Sequence, residues 1–312
     1  MIGTDFLFVE KYRPSTIEEC ILPNSIKNTF SEYVKRKEIP NLMLVGGAGV
    51  GKTSAAKALC NDVGCDYLFI NASDENGIDT LRVKITQYAS SVSLSGGRKV
   101  VILDEFDATT RSFQDAFRSF LENFSKNCTF ILTCNYSNKI ISPIHSRCSV
   151  INFSIDKNEK KSLIPKFFKR VCHILEQENI SYDKESVAAF ISKYYPDNRK
   201  ILNELQRYSI SGSIDVGILS QVGDVQLKDL ISSLKDKDFG KTREWVANNI
   251  DNDINIIYRK IYDGMYSHVK PESIPQLVLH LAKYQYQTAF VVDQEIQLLS
   301  FLVEIMCDIE FV

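Results

Sequence analysis

The chain has 312 residues, with 37 basic against 39 acidic side chains, and is 44% hydrophobic and 24% charged. That length allows about two or three domains of ordinary globular composition. A net charge of −2 neither requires nor excludes a polyanionic partner, so any such surface must be local. No apolar run reaches the length of a membrane span, and the Met1–Asp5 start lacks the basic region of a signal peptide, which predicts a cytoplasmic location without a membrane partner. The eight cysteines contain no C-x-x-C pair and read as free thiols rather than a disulfide framework or a zinc site.

In chain order, Val9-Glu10-Lys11-Tyr12-Arg13-Pro14 comes before any strand signal. Tyr12 offers a stacking face and Pro14 stiffens the segment, which otherwise reads as an ordinary arm. The apolar run Leu42–Val45 predicts a strand. Gly46-Gly47-Ala48-Gly49-Val50-Gly51-Lys52-Thr53 follows and fits G-x-x-x-x-G-K-[ST], with a helix opening at Ser54. Glycines let backbone N–H groups face inward around phosphates, and the helix N-terminus adds its partial positive charge. Lys52 reaches the outer phosphates, and the Thr53 hydroxyl is placed for Mg²⁺.

A second strand is read at Tyr67–Ile70, a helix at Ile78–Ser90 and a third strand at Val100–Leu103. Four β-favouring apolar residues in the third strand suit the interior of a parallel sheet. Asp104 and Glu105 emerge at its C-terminal end, where ligands of open α/β sheets bind. Asp104 positions Mg²⁺ through its water shell and Glu105 polarises the attacking water. Phosphoryl transfer depends mostly on positioning and charge, so these groups suffice to imply ATP hydrolysis.

Ser112–Phe124 predicts a helix, Phe130–Leu132 a strand ending in Cys134-Asn135, and Val150–Phe153 the last strand. Asn135 either orients the water beside the γ-phosphate or simply starts a turn. Arg147, after Ser142-Pro143, is either a surface arginine or the transition-state arginine that a multimeric ATPase inserts into its neighbour's site. After Phe153 the strands are expected to stop. Glu159–Glu178, Lys184–Tyr194 and Arg199–Ser209 read as a small helical module. Arg199 sits in a first helical turn, where a cation is electrostatically unfavourable, and this hints at an anionic ligand.

Further helices are read at Val225–Leu234, Thr242–Asn249, Ile254–Ser267, Ser273–Tyr284 and Asp293–Glu310. The last is apolar nearly all round and belongs either to a core or to a subunit interface. The fold class is therefore α/β with a parallel sheet, followed by helical blocks: 1–154 nucleotide-binding, 155–222 helical lid, and 223–312 helical collar.

Taken together, Glu10-Lys11-Tyr12-Arg13-Pro14, the Gly46–Thr53 loop, Asn71-Ala72-Ser73-Asp74-Glu75, Asp104-Glu105, Cys134-Asn135 and Ser146-Arg147-Cys148 resemble the clamp-loader branch of the AAA+ ATPases. Asp74-Glu75-Asn76-Gly77-Ile78-Asp79 is similar to the replication factor C small subunits. Lys11–Leu22 and the short C-terminal block are similar to the loaders of T-even-type phages. The resemblance implies that Val9, Glu10, Lys11, Tyr12 and Ile21 enclose adenine and that Gly46 through Thr53, with Ser54, hold the phosphates. It makes Thr53 and Asp104 the Mg²⁺ residues, Glu105 the residue acting on water, and Asn135 and Arg199 the two sensors, while Arg147 acts in trans. One departure is Asp104-Glu105-Phe106-Asp107, where the family usually has Asp-Glu-Ala-Asp.

The implied partners are a sliding clamp, primer–template DNA, further copies of the chain with one different subunit and, indirectly, a DNA polymerase. Arg82, Lys84 and Arg111 either contact DNA phosphates or form a solvated face. Val92 and Leu94 either anchor in the clamp or pack within their loop. The competing readings are a helicase or branch-migration motor, a non-hydrolysing structural subunit and, more remotely, a metabolite kinase.

Overall fold

A computed structural model describes residues 6–73, 78–91, 99–210, 212–214, 227–250, 254–288 and 290–312. The chain divides into two compact units, Met1–Ile218 and Leu219–Val312.

In the first unit α1 (Phe8–Lys11) and α2 (Asn24–Arg36) lead to β1 (Leu42–Val45), α3 (Lys52–Val63), β2 (Tyr67–Asn71) and α4 (Ile78–Ser90). Then come β3 (Lys99–Asp104), α5 (Arg111–Asn123), β4 (Cys128–Cys134), the single turn α6 (Ser142–His145) and β5 (Ser149–Asn152). All five strands are parallel, in the order β2-β3-β4-β1-β5.

Alternation along each strand builds two cores. Leu42, Leu44, Val100, Ile102 and Ile131 face α2 and α3, where Phe30, Ala55 and Leu59 meet them. Met43, Val101, Leu103, Phe130 and Leu132 face the opposite side, against Ile85 of α4 and Phe113 and Phe117 of α5. Burial on both faces is why these strands read as continuous apolar runs. The parallel register leaves their C-terminal ends level: Val45 pairs with Cys134, and Leu103 with Leu132.

The unit continues with α7 (Lys157–Gln177), β6 (Ser181–Tyr182), α8 (Lys184–Tyr194), α9 (Asn198–Ser209) and β7 (Ser213–Ile214). Asp156 and Glu159 form a capping box at the start of α7. The expectation that strands stop after Phe153 is corrected here, because β6 and β7 form a two-stranded parallel sheet. Two residues per strand leave no alternation to detect.

The second unit contains α10 (Leu227–Lys235), α11 (Phe239–Asn249), α12 (Ile254–Met265), α13 (Ile274–Thr288) and α14 (Gln294–Asp308). Its core gathers Leu230, Leu234, Val246, Ile257, Tyr258, Ile261, Leu298, Phe301 and Ile305. Tyr258 and Phe301 meet edge to face at 5.1 Å. One side of α14 thus lies in the unit's own core, while Ile296 on the same helix is exposed. Among the described residues no helix is long and apolar enough to cross a membrane.

Candidate nucleotide site

The β1–α3 loop carries two residues in the left-handed region, Gly49 (φ +71°) and Gly51 (φ +94°). Side chains rarely adopt that conformation, so glycine there lets the loop turn back on itself before α3 starts at Lys52. The Lys52 side chain is only 8% exposed. Its Nζ donates to the Gly46 and Gly47 carbonyls at 2.8 and 2.7 Å and to Asn135 Oδ1 at 2.9 Å. Burial lowers its pKa, and the nearby Asp104 carboxylate works in the opposite direction.

Asp104 closes β3, and its Oδ1 accepts from the Thr53 hydroxyl at 2.7 Å and from the Thr133 hydroxyl. Thr133 also accepts from the Glu105 N–H at 3.2 Å, so one β4 residue steadies both acids. Glu105 itself stands at φ 55°, ψ 41°. A non-glycine residue in that region is strained by about 1 kcal/mol. The turn leaves the Glu105 carboxylate exposed and drops Phe106 into the core, with no exposed surface, beside Phe113 and Phe117. Asp107 then reaches the end of β4, where Oδ2 accepts from the Asn135 and Tyr136 amides at 3.2 and 3.0 Å. Thr133 and Asp107 escape sequence reasoning because their partners lie 28 or 29 positions away along the chain, and only the strand order brings them together.

Beyond the sheet, α9 approaches the phosphate loop. The Asn198 amide donates to the Gly49 carbonyl at 3.1 Å. Asp197 caps α9 by accepting from the Lys200 amide at 3.0 Å. Arg199 follows in the first turn, exposed and facing the same cavity.

The cavity encloses about 350 Å³, within the range of small-molecule sites. Val9, Glu10, Tyr12 and Ile21 line it on one side, and Ala48 through Ser54, Asp104, Glu105 and Asn135 line it on the other. Gly46 and Gly47 lie behind Lys52 and contribute carbonyls rather than lining. Lys11 is also outside the lining and pairs with Glu178 at 2.6 Å. Arg147 lies away from this cavity, its guanidinium held by Glu122 and by the Pro143 carbonyl at 2.8 Å. Lys84 and Arg111 are exposed on α4 and α5. The Arg82 side chain, Val92 and Leu94 lie outside the described residues.

Thr53, Asp104 and Thr133 bring two hydroxyls and a carboxylate together, an all-oxygen donor set that suits a hard divalent cation also held by phosphate oxygens. The apolar end beside Tyr12, Ile21, Phe167 and Ile174 suits a flat ring.

Comparison with known proteins agrees with this chemistry. The family "ATPase family associated with various cellular activities (AAA)" matches residues 42–154. The "Sliding-clamp-loader large subunit, AAA+ ATPase lid domain" matches residues 159–220. The sliding-clamp-loader large subunit of Enterobacteria phage T4 is 36% identical, with 98% of each chain covered. That of Escherichia phage RB69 is 38% identical over 86% of this chain and 85% of its own. A replication factor C small subunit of Methanococcus maripaludis is 38% identical over 73% of this chain and 72% of its own. Among solved structures, the RuvB Holliday junction branch migration motor of Thermotoga maritima has a TM-score of 0.54 at 17% identity, covering 86% and 85% of the two chains. At that identity the likeness concerns the fold alone.

Proposed function

The chain belongs to the sliding-clamp-loader ATPases of the AAA family, and from that membership we propose how its residues divide the work. ATP lies with its base among Val9, Tyr12 and Ile21 and its phosphates along Ala48–Ser54. Lys52 meets the outer phosphates and Arg199 reaches them from the lid. Thr53 and Asp104 hold Mg²⁺, which when bound neutralises charge building on the phosphate oxygens. Glu105 accepts a hydrogen bond from the attacking water and polarises it, and Asn135, fixed by Asp107, orients that water. Asp107 and Thr133 leave these groups little freedom, so their geometry is preorganised.

The observation that carries the proposal is the convergence of Lys52, Thr53, Asp104, Glu105 and Asn135 at three level strand ends, with Arg199 across the cavity. Arg147, outside that cavity, acts in trans on the site of a neighbouring subunit. Several copies with one different subunit form an open spiral joined through 223–312, and residues 155–222 act as the lid. ATP stabilises the spiral state that opens a sliding clamp and grips primer–template DNA, which requires that ATP bind this state more tightly than the relaxed one. Lys84 and Arg111 contribute to the DNA-facing surface. Hydrolysis releases the closed clamp for a polymerase, in the cytoplasm of the cell that houses the reaction.

The test is steady-state ATP hydrolysis by the chain with its partner subunit, alone, with primer–template DNA, and with DNA plus sliding clamp. Turnover rises with DNA and again with clamp. Arg147→Ala removes the rise by about 10³-fold or more while ATP binding to the isolated chain stays unchanged. Turnover indifferent to the clamp but accompanied by strand separation would identify a motor instead.

A further inference from the structure

We propose that Gln206, with Glu178, is a positioning residue that makes the Phe6–Tyr12 arm part of the lid, so that the base-side wall of the cavity moves with the lid. The inference rests on the reading that this cavity holds a nucleotide.

Gln206 lies on α9 and is 9% exposed, and both ends of its amide are engaged with backbone. Nε2 donates to the Phe6 carbonyl at 2.6 Å, and Oε1 accepts from the Phe8 amide at 2.9 Å. A side-chain amide used at both ends fixes position and direction together. Phe8 is buried and meets Tyr12 edge to face at 6.1 Å. At the far end of the arm, Glu178 closes α7 and accepts from Lys11 Nζ at 2.6 Å and from the Tyr12 hydroxyl at 2.5 Å. Lys11 and Tyr12 together hold the Glu178 carboxyl below its ordinary range. Arg170 of α7 adds a bond to the Tyr12 carbonyl at 3.3 Å. Each of these partners belongs to α7 or α9.

Two residues past Arg13 the attachments change. The Ser15 carbonyl accepts from Asn61 at 3.1 Å, and the Ile17 amide donates to Asp62 at 2.8 Å, both on α3. Ile17, Cys20 and Leu22 then enter the core between α2, α3 and the sheet. The chain therefore passes from lid to sheet at Arg13-Pro14, and the cavity lining straddles that passage: Val9 and Tyr12 on the lid side, Cys20, Ile21 and Leu22 on the sheet side. A base held there contacts both bodies, so its binding reports their separation.

The experiment uses the full chain with ATP as probe. Gln206→Met keeps the length of the side chain and removes both hydrogen bonds. It weakens ATP binding about tenfold, whereas kcat of the assembled loader at saturating ATP stays within about twofold. Gln206→Glu retains the acceptor for the Phe8 amide but sets a carboxylate oxygen against the Phe6 carbonyl, and weakens ATP binding at least as much as Gln206→Met. Glu178→Ala, at the more exposed clasp, serves as an independent variant and also weakens ATP binding several-fold. Hydrogen exchange at the Phe8 amide accelerates in Gln206→Met. Unchanged exchange, or faster exchange with unaltered ATP affinity, overturns the proposal. A wild-type chain that protects Phe8 yet binds no ATP refutes the nucleotide reading of the cavity instead.

Discussion

Gly49 offers a sharp test of how the lid rests on the phosphate loop. A Cβ at this position would lie 1.8 Å from Asp197 Oδ1 and 2.6 Å from its Cγ, at a φ of +71°. Gly49→Ala therefore incurs two costs. The left-handed backbone costs an alanine about 1–2 kcal/mol. The Asp197 side chain must also rotate away, giving up its bond to the Lys200 amide, and loss of such a cap costs about 1 kcal/mol. The expected total is about 2–3 kcal/mol. Asp197→Ala alone costs about 1 kcal/mol, and in that background Gly49→Ala costs only the backbone part, which leaves a coupling of about 1 kcal/mol. Urea unfolding followed by circular dichroism reads the change. Fluorescence of Trp245, the sole tryptophan, reports the Leu219–Val312 unit separately and stays put. A Gly49→Ala cost that is the same with and without Asp197, or a total below about 1 kcal/mol, would refute the clash argument.

Two further outcomes follow from buried groups. Burial keeps the Lys52 pKa in the folded chain below 10.5, so between that lowered value and 10.5 the unfolded chain binds the extra proton and stability rises with pH. Below that window the penalty is complete and flat; Lys52→Met abolishes the alkaline rise, and a wild-type-minus-variant stability difference that does not change with pH there would count against the burial argument. Phe106→Ala empties a fully buried site 5.1 Å from the Phe117 ring and is expected to cost about 3–5 kcal/mol in urea unfolding, with the ATP affinity of the folded chain unchanged; a cost under about 1 kcal/mol would mean the core tolerates the family's usual alanine.

How much of this was legible in the sequence depends on the range of the interactions involved. Leu42–Val45 and the loop after it were readable because strand, glycines and Lys52-Thr53 are contiguous. Helices such as Ile78–Ser90 and Lys184–Tyr194 were readable because their own apolar spacing sets their bounds. Helix α2 carries the same kind of signal, with Ile26, Phe30, Tyr33 and Val34 spaced to share one core-facing side and Pro23 just before its start, although the strand-and-loop reading passes over it. Asp107 looked like the tail of a motif, although its partners are two backbone amides of β4. Gln206 carried no signal, because its partners lie about two hundred positions upstream. Polar side chains that hold backbone in place become visible only when topology supplies that backbone.

The strand order has a consequence for natural variation. Asp104 on β3 and the loop after β1 are not on neighbouring strands; β4 runs between them, holding Asp104 through Thr133 and the loop through the Cys134 carbonyl, which accepts from the Gly46 amide at 3.2 Å. Spacing within the site is therefore set by how β4 is seated, and the residues that seat it (Phe130, Ile131 and Leu132) are fully buried and do not line the cavity. A conservative change in that strand shifts the ruler against which the acids and the lysine are measured. Such alleles will pass as harmless core substitutions in a survey of lining residues, yet behave in an enzyme assay like damage to the site itself.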